Sequence, residues 1–222
     1  MNRTRMGIAS AVVVLALAAV ALGVGSGLPA DLQLPIHFGI DGTPDGYSGK
    51  WVALFSPVAM AAGLSLLLWL IPTLEPRLDN LQRSAGLYYW SWVSLLLMSA
   101  AIQFVVVSVA LHWHLRIEHI VAGSIGAMFV LIGNQLGKSR SMFLVGIRTP
   151  WTLSSEEVWI RTHRLGGKLM VGAGLLMVLA ALLPIPSGLL AAVCGSALAV
   201  SVAVPVVYSY LLWRREKAQP SG

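Results

Sequence analysis

Long stretches without a charged residue alternate along this chain with short polar connections, and the lengths of those stretches decide what they are. The hydrocarbon core of a bilayer is about 30 Å thick, so a helix that crosses it needs roughly 20 mostly apolar residues. Met6 to Leu28 carries no charge, and neither does Trp51 to Ile71, whose Pro57 a membrane helix tolerates. Leu87 to Leu111 is a third such run; Ile120 to Leu136 is a shorter fourth, with the polar pair Asn134 and Gln135 at its end. From Leu169 to Trp213 there is no charge at all, long enough for two passes. Pro184-Ile185-Pro186-Ser187-Gly188 divides that run, because proline removes helix donors and glycine favours turns. The last two spans are therefore Leu165 to Leu183 and Gly188 to Trp213. The pattern predicts an all-α integral membrane protein with six transmembrane helices.

Composition narrows the class further. Of 222 residues, 57% are hydrophobic and 11% charged, with mean hydropathy +0.78. A soluble domain carries about 25% charged residues, so a water-soluble globular protein is excluded. The single cysteine, Cys194, sits in an apolar run, which excludes a disulfide framework and a multi-cysteine metal site.

The net charge of +6 gains meaning from its placement. Six spans put both ends on one side, and 13 of the 15 Lys and Arg residues fall on that side, leaving Lys50 and Arg116 on the other. Positive residues stay inside, so both termini are expected to be cytoplasmic. The basic charge then follows from topology, and no direct nucleic-acid partner is expected. Trp51, Trp69, Trp90, Trp92, Trp113 and Trp213 lie near predicted span ends and are expected in the headgroup belt. The start of the chain also resembles a secretory signal. Its apolar run exceeds the usual length of about 7–15 residues and no small-x-small site precedes Asp31, so the first span is expected to be retained.

Two loops carry most of the remaining information. The external one, Pro29 to Lys50, holds the turn dipeptides Asp41-Gly42 and Pro44-Asp45-Gly46. It is expected to form a short extended piece, Leu34 to Phe38, followed by tight turns. Asp41 and Asp45 lack the alternating acids of a calcium loop, so no metal is expected there. His37 reads as an interfacial hydrogen-bonding residue. The internal loop, Gly133 to Gly167, contains Thr149-Pro150, which disfavours helix at the threonine. Ser154 with Glu157 three residues on is a capping box, predicting a helix from about Ser155 that runs into the fifth span. Trp159 and His163, four apart, share a face of it. Phe143-Leu144-Val145 is apolar enough to dip into the bilayer or to pack beneath the bundle. Arg148, Arg161, Arg164 and Lys168 suit contact with anionic membrane lipids or with an acidic partner.

Enzymatic signals are weak. Glu156 lies seven residues from His163, and no nucleophile is paired with a base at an informative spacing. His112, His114 and His119 beside Glu118 read as interfacial histidines rather than metal ligands. Apart from Lys168 at the boundary of the fifth, the predicted spans hold no acid or base between their ends, which disfavours proton-coupled transport. No cofactor is expected.

The stretch GIRTPWTLSSEEVWIRTHRLGG, Gly146 to Gly167, resembles the hallmark of the SdpI family of immunity proteins. The external stretch LPIHFGIDGTPDGYSGKW, Leu34 to Trp51, resembles a small membrane module of unknown function that often precedes it. One departure is Met142, where the family pattern commonly has an asparagine before the aromatic residue. The resemblance implies a multi-pass protein of the bacterial cell membrane that is not an enzyme. It would protect its cell from a secreted peptide toxin and sequester a cytoplasmic transcriptional repressor. The modules would be residues 1–72, a connecting region 73–119, the SdpI-like module 120–213 and a tail 214–222. Asn134, Gly146, Arg148, Thr149, Pro150, Trp151, Trp159, His163, Arg164 and Gly167 would serve a partner or shape the internal loop. His37, Asp41, Gly42, Pro44, Asp45 and Lys50 would meet the peptide outside. The alternatives are an envelope signalling protein with a non-toxin ligand, and a membrane-interface enzyme using His163 and Arg148.

Overall fold

The computed structural model describes residues 3–39 and 43–218. Among them, six helices are long and apolar enough to cross a membrane: α1 Arg3–Ser26, α2 Lys50–Leu74, α4 Ala85–Ala110, α5 Ile117–Leu136, α7 Glu156–Leu182 and α8 Ser187–Ala218. Each falls on a predicted span. Two short helices, α3 Leu78–Arg83 and α6 Pro150–Ser154, lie in the connections. Helix α8 passes through Pro205 without a break and continues beyond Trp213 through the basic residues of the tail.

The expectation of an all-α fold needs one correction. Strands β1 Gln33–Phe38 and β2 Pro44–Gly49 form an antiparallel hairpin between α1 and α2. The extended piece is where it was predicted, but Pro44-Asp45-Gly46 is paired strand and not a turn. Proline and glycine are poor strand formers, and they sit here at irregular pairing, where His37 opposes Gly46 and Phe38 opposes Pro44. Gly39 donates its amide hydrogen to Thr43 at 2.8 Å and narrows the chain reversal.

The bundle packs in two ways. On the N-terminal side, α1, α2 and α4 meet around Trp92, whose indole N–H donates to Ser10 Oγ at 2.8 Å and to Ser65 Oγ at 3.3 Å. Trp92 is fully buried, which corrects its assignment to the headgroup belt. An indole enclosed by helices needs a hydroxyl partner, and the serines on α1 and α2 supply it. Trp51, Trp69 and Trp113 remain substantially exposed. On the C-terminal side, α5 and α7 approach closely through glycine. A Cβ added to Gly167 would stand 2.7 Å from the Gly133 carbonyl oxygen, and one turn-pair further along, Gly174 faces Gly126 in the same way. Small residues at a membrane helix crossing let backbones approach and dispersion contacts accumulate.

Candidate functional site

At the end of the bundle that carries both α1's start and α8's finish, the segment from Lys138 to Thr149 crosses beneath the helices. Apart from a few turns it has no regular structure, so its backbone groups need partners from elsewhere. Two side chains provide them.

The first is Glu75, the residue that ends α2, and it is buried. Its carboxylate accepts the amide hydrogens of Phe143 at 3.0 Å, Leu144 at 2.8 Å and Arg77 at 3.1 Å. A carboxylate at a helix C-terminus is opposed by the helix dipole. Here charge-assisted bonds to three N–H groups offset that. The Arg77 guanidinium, over the Phe143 ring at 4.7 Å, donates to Ser141 Oγ and reaches the Leu153 carbonyl at 3.4 Å. Asn80 on α3 donates to the Ser141 carbonyl at 2.9 Å, and the Arg140 amide donates to Ser84 Oγ at 2.8 Å. Leu144 and Val145 therefore pack beneath the bundle while Phe143 stays exposed, and Met142 is fully buried. An asparagine at that position would have to find polar partners in an apolar enclosure.

The second is His163. It stacks on Trp159 with ring centroids 3.9 Å apart and planes inclined by 16°. Both rings are fully buried, and the Trp159 indole donates to the Ser139 carbonyl at 3.3 Å. Above them passes Gly146, with φ of +118°. A Cβ there would lie 2.7 Å from His163 Nε2 and 2.7 Å from the Trp159 ring, so both the conformation and the space require glycine.

The rest of the loop follows. Arg148 donates to the Phe143 carbonyl at 2.7 Å and closes the segment on itself. Thr149 caps α6 in extended conformation, exchanging hydrogen bonds with Thr152, and Pro150 occupies the first helical position, where its missing N–H costs nothing. Trp151 donates to Ser209 Oγ on α8 and packs against Tyr210 and Trp213. Helix α7 starts one residue later than the predicted capping box: Ser155, not Ser154, accepts the Val158 amide at 3.2 Å, while Ser154 ends α6. Arg164 is exposed, its Cα backed by Gly137. Asn134 is exposed on α5 and stands apart from this assembly.

At the opposite end, His37 and Asp45 pair across the hairpin, with side chains 73% and 52% exposed. Pro44 is exposed beside them, and Asp41 and Gly42 lie outside the described residues. Lys50 does not face outward. It is buried, and its ammonium donates to the carbonyls of Gly25 at 2.8 Å and Leu28 at 2.5 Å. It closes the C-terminal end of α1, where a cation is favoured by the dipole.

Sequence reasoning missed Glu75, Arg77 and Asn80. A signal was present for Glu75: an acid next to Pro76 at the end of an apolar run sits where helix electrostatics disfavour it.

Residues 138–209 match the SdpI/YfhL protein family, and residues 11–61 match a domain of unknown function, DUF1648. The chain is similar to the immunity protein SdpI of Bacillus subtilis (strain 168), 25% identical over 100 residues. The aligned region is 45% of this chain and 48% of that protein, so the chain spans about half the length of the curated relative it matches. No solved structure matches it.

Proposed function

We propose that this chain, a multi-pass membrane protein carrying the SdpI/YfhL module, is an immunity protein that protects its cell from a secreted membrane-active peptide. It acts by binding, not by catalysis. The observation that carries this is the use made of the polar side chains around the segment from Lys138 to Thr149. Glu75, His163 and Arg148 hold the backbone at Phe143, Leu144 and Ile147, and Arg77 bonds the Ser141 hydroxyl. A platform whose acid, histidine and arginines are already bonded internally is suited to recognition, whereas an acid or base catalyst needs a polar atom free to meet substrate.

In this reading both termini and the platform are cytoplasmic, in keeping with the placement of Lys and Arg. The exposed His37–Asp45 hairpin faces outward, where an arriving peptide meets it first. The same platform docks a cytoplasmic transcriptional repressor when the peptide is present, which requires the repressor to bind two states of the protein unequally.

The test is growth of a sensitive cell under the peptide, with the chain supplied on a plasmid. Protection by the intact chain, and its loss in Trp159→Ala or Arg148→Ala at unchanged membrane abundance, is expected. Full protection in both variants would exclude this platform as the functional element.

A further inference from the structure

At the end of the bundle opposite the platform, β1, the first turns of α5 and α8, and Met177 of α7 surround a cavity of about 350 Å³. Ligand sites commonly measure about 300–1,000 Å³ and favour the junctions between structural units. This cavity lies at such a junction. Residues 36–39 belong to the region that matches DUF1648, whereas Met177, Leu190 and Cys194 belong to the region that matches the SdpI/YfhL family.

The lining offers little to a charged ligand. Glu118 accepts hydrogen bonds from Ser187 at 3.2 Å and from Arg116 at 3.4 Å, and His37 is held by Asp45. Met177 and Leu190, both almost fully buried, form an apolar wall with Ile125. The cavity therefore favours an apolar occupant.

Strand β1 supplies a second requirement. Four consecutive residues, 36–39, line the cavity. Successive side chains of a strand point to opposite faces, so a run of four brings backbone as well as side chains to the lining. The sheet has two strands, which leaves the second edge of β1 with no strand beside it. The register passes from Pro35 to His37 and gives Ile36 no partner residue in β2. The strand is buried at Leu34 and Pro35 and exposed at Ile36 and His37, so its open part is the part at the cavity. Folded proteins commonly protect such an edge, because its N–H and C=O groups template a further strand. An acyl chain would fill the cavity and bring no hydrogen bond to the strand it covers. An extended apolar peptide supplies both main-chain bonds for the edge and a side chain for the pocket.

We propose that the cavity and the edge of β1 together bind an extended apolar segment of a peptide, which adds as a third strand beside residues 36–38 and places an apolar side chain against Met177 and Leu190. Main-chain recognition of this kind reads extended conformation and apolar character, with little demand on sequence. The inference deepens the proposed function and rests on it only for identifying the bound segment with the secreted peptide.

The test uses the full chain in phosphatidylcholine nanodiscs and a synthetic probe, acetyl-Val-Leu-X-Leu-Val-amide, in which X is benzoylphenylalanine. Adducts are mapped by mass spectrometry after illumination. A control peptide, N-methylated at alternate residues, keeps the same apolar side chains and cannot pair as a strand. The probe is expected to mark Met177, Leu190 or Cys194, and the control to leave them unmarked. Ala191→Phe and Val121→Trp, which fill the cavity from α8 and from α5, should each lower the yield about tenfold or more, with the unfolding temperature nearly unchanged. Equal marking of the cavity by the N-methylated peptide would mean a pocket for any apolar chain, an acyl chain included, and would overturn strand addition. Adducts confined to exposed residues of the spans, such as Leu15 and Leu66, would overturn the site. Growth under the secreted peptide separates this inference from the reading beneath it. No protection by the intact chain would overturn immunity and leave the adducts standing. Full protection by a folded Ala191→Phe chain would overturn the cavity as the site of the secreted peptide and leave immunity standing.

Discussion

The Nε2 of His163 accepts the amide hydrogen of Ile147 at 2.8 Å, while Nδ1 of the same ring donates to the Trp159 carbonyl at 2.9 Å. One nitrogen accepts and the other donates, an arrangement that the neutral imidazole satisfies and the doubly protonated ring does not. The histidine is thereby tied to a backbone group 16 residues away in sequence, and the whole segment after Met142 hangs from that bond and from Glu75.

His163→Ala removes the acceptor and the stacked ring together. It is expected to cost about 1–3 kcal/mol for the stranded Ile147 donor alone, beyond the packing loss. His163→Gln keeps an acceptor and should retain most of both stability and protection. An enzyme using the imidazole as base would lose activity in both variants. Thermal unfolding in detergent, with growth under the peptide, separates the two cases.

Gly146→Ala introduces a methyl group 2.7 Å from the His163 and Trp159 rings at a backbone angle that side chains rarely adopt. The conformation alone costs about 1–3 kcal/mol. The expected result is a lowered unfolding temperature, together with a shift in the intrinsic tryptophan emission as Trp159 is displaced. An unchanged unfolding temperature would mean that the loop is not held over the rings.

How much of this was readable beforehand depends on whether the cause is local. The spans were legible because the requirement for some twenty uncharged residues acts on contiguous sequence. The start of α7 was legible to within a residue, since a cap is a short-range motif, although Ser154 ends α6 and the adjacent Ser155 takes the cap. That Trp159 and His163 share a face followed from helical spacing, whereas the stacking of their rings did not. Strand β2 was not legible: Pro44, Asp45 and Gly46 read as turn formers, and only pairing with β1 makes them strand. The environment of Trp92 depends on serines 82 and 27 residues away. Glu75 is bound to a segment 68 residues distant, and no local pattern encodes that.

Glu75→Gln tests the long-range tie. The amide keeps one carbonyl oxygen but loses the charge and the second acceptor, so at least one of the Phe143, Leu144 and Arg77 amides weakens. A loss of about 1.5–3 kcal/mol is expected. Hydrogen exchange read by mass spectrometry should rise in the peptide containing Phe143 and Leu144 and stay unchanged in α1. Uniform acceleration across the chain would instead indicate global unfolding.

Gly167→Ala and Gly172→Ala form a matched pair on α7. The first places a Cβ 2.7 Å from the Gly133 carbonyl oxygen, whereas the second meets nothing within 4 Å. Overpacking at the crossing is expected to cost about 1–3 kcal/mol. Alanine at the open position should be neutral or stabilising by up to about 1 kcal/mol, because glycine loses more backbone freedom on folding. Equal effects in an unfolding assay would contradict the close approach of α5 and α7.

Lys50 and the His37–Asp45 pair stand close in sequence and differ in what they do. The buried ammonium of Lys50 serves the end of α1, bonding the Gly25 and Leu28 carbonyls beneath the Trp51 ring. Lys50→Met removes those bonds and is expected to destabilise by about 1–3 kcal/mol. Exchange should increase at residues 23–28, and protection should fall only as far as the folded population falls. His37→Ala and Asp45→Ala remove exposed side chains from a pair that contributes at most about 1 kcal/mol, so the unfolding temperature should barely move. If the hairpin is where the peptide is met, these two variants lose protection while remaining folded and abundant. Protection that instead follows the unfolding temperature through all three variants would show that this end of the molecule contributes structure and not contact.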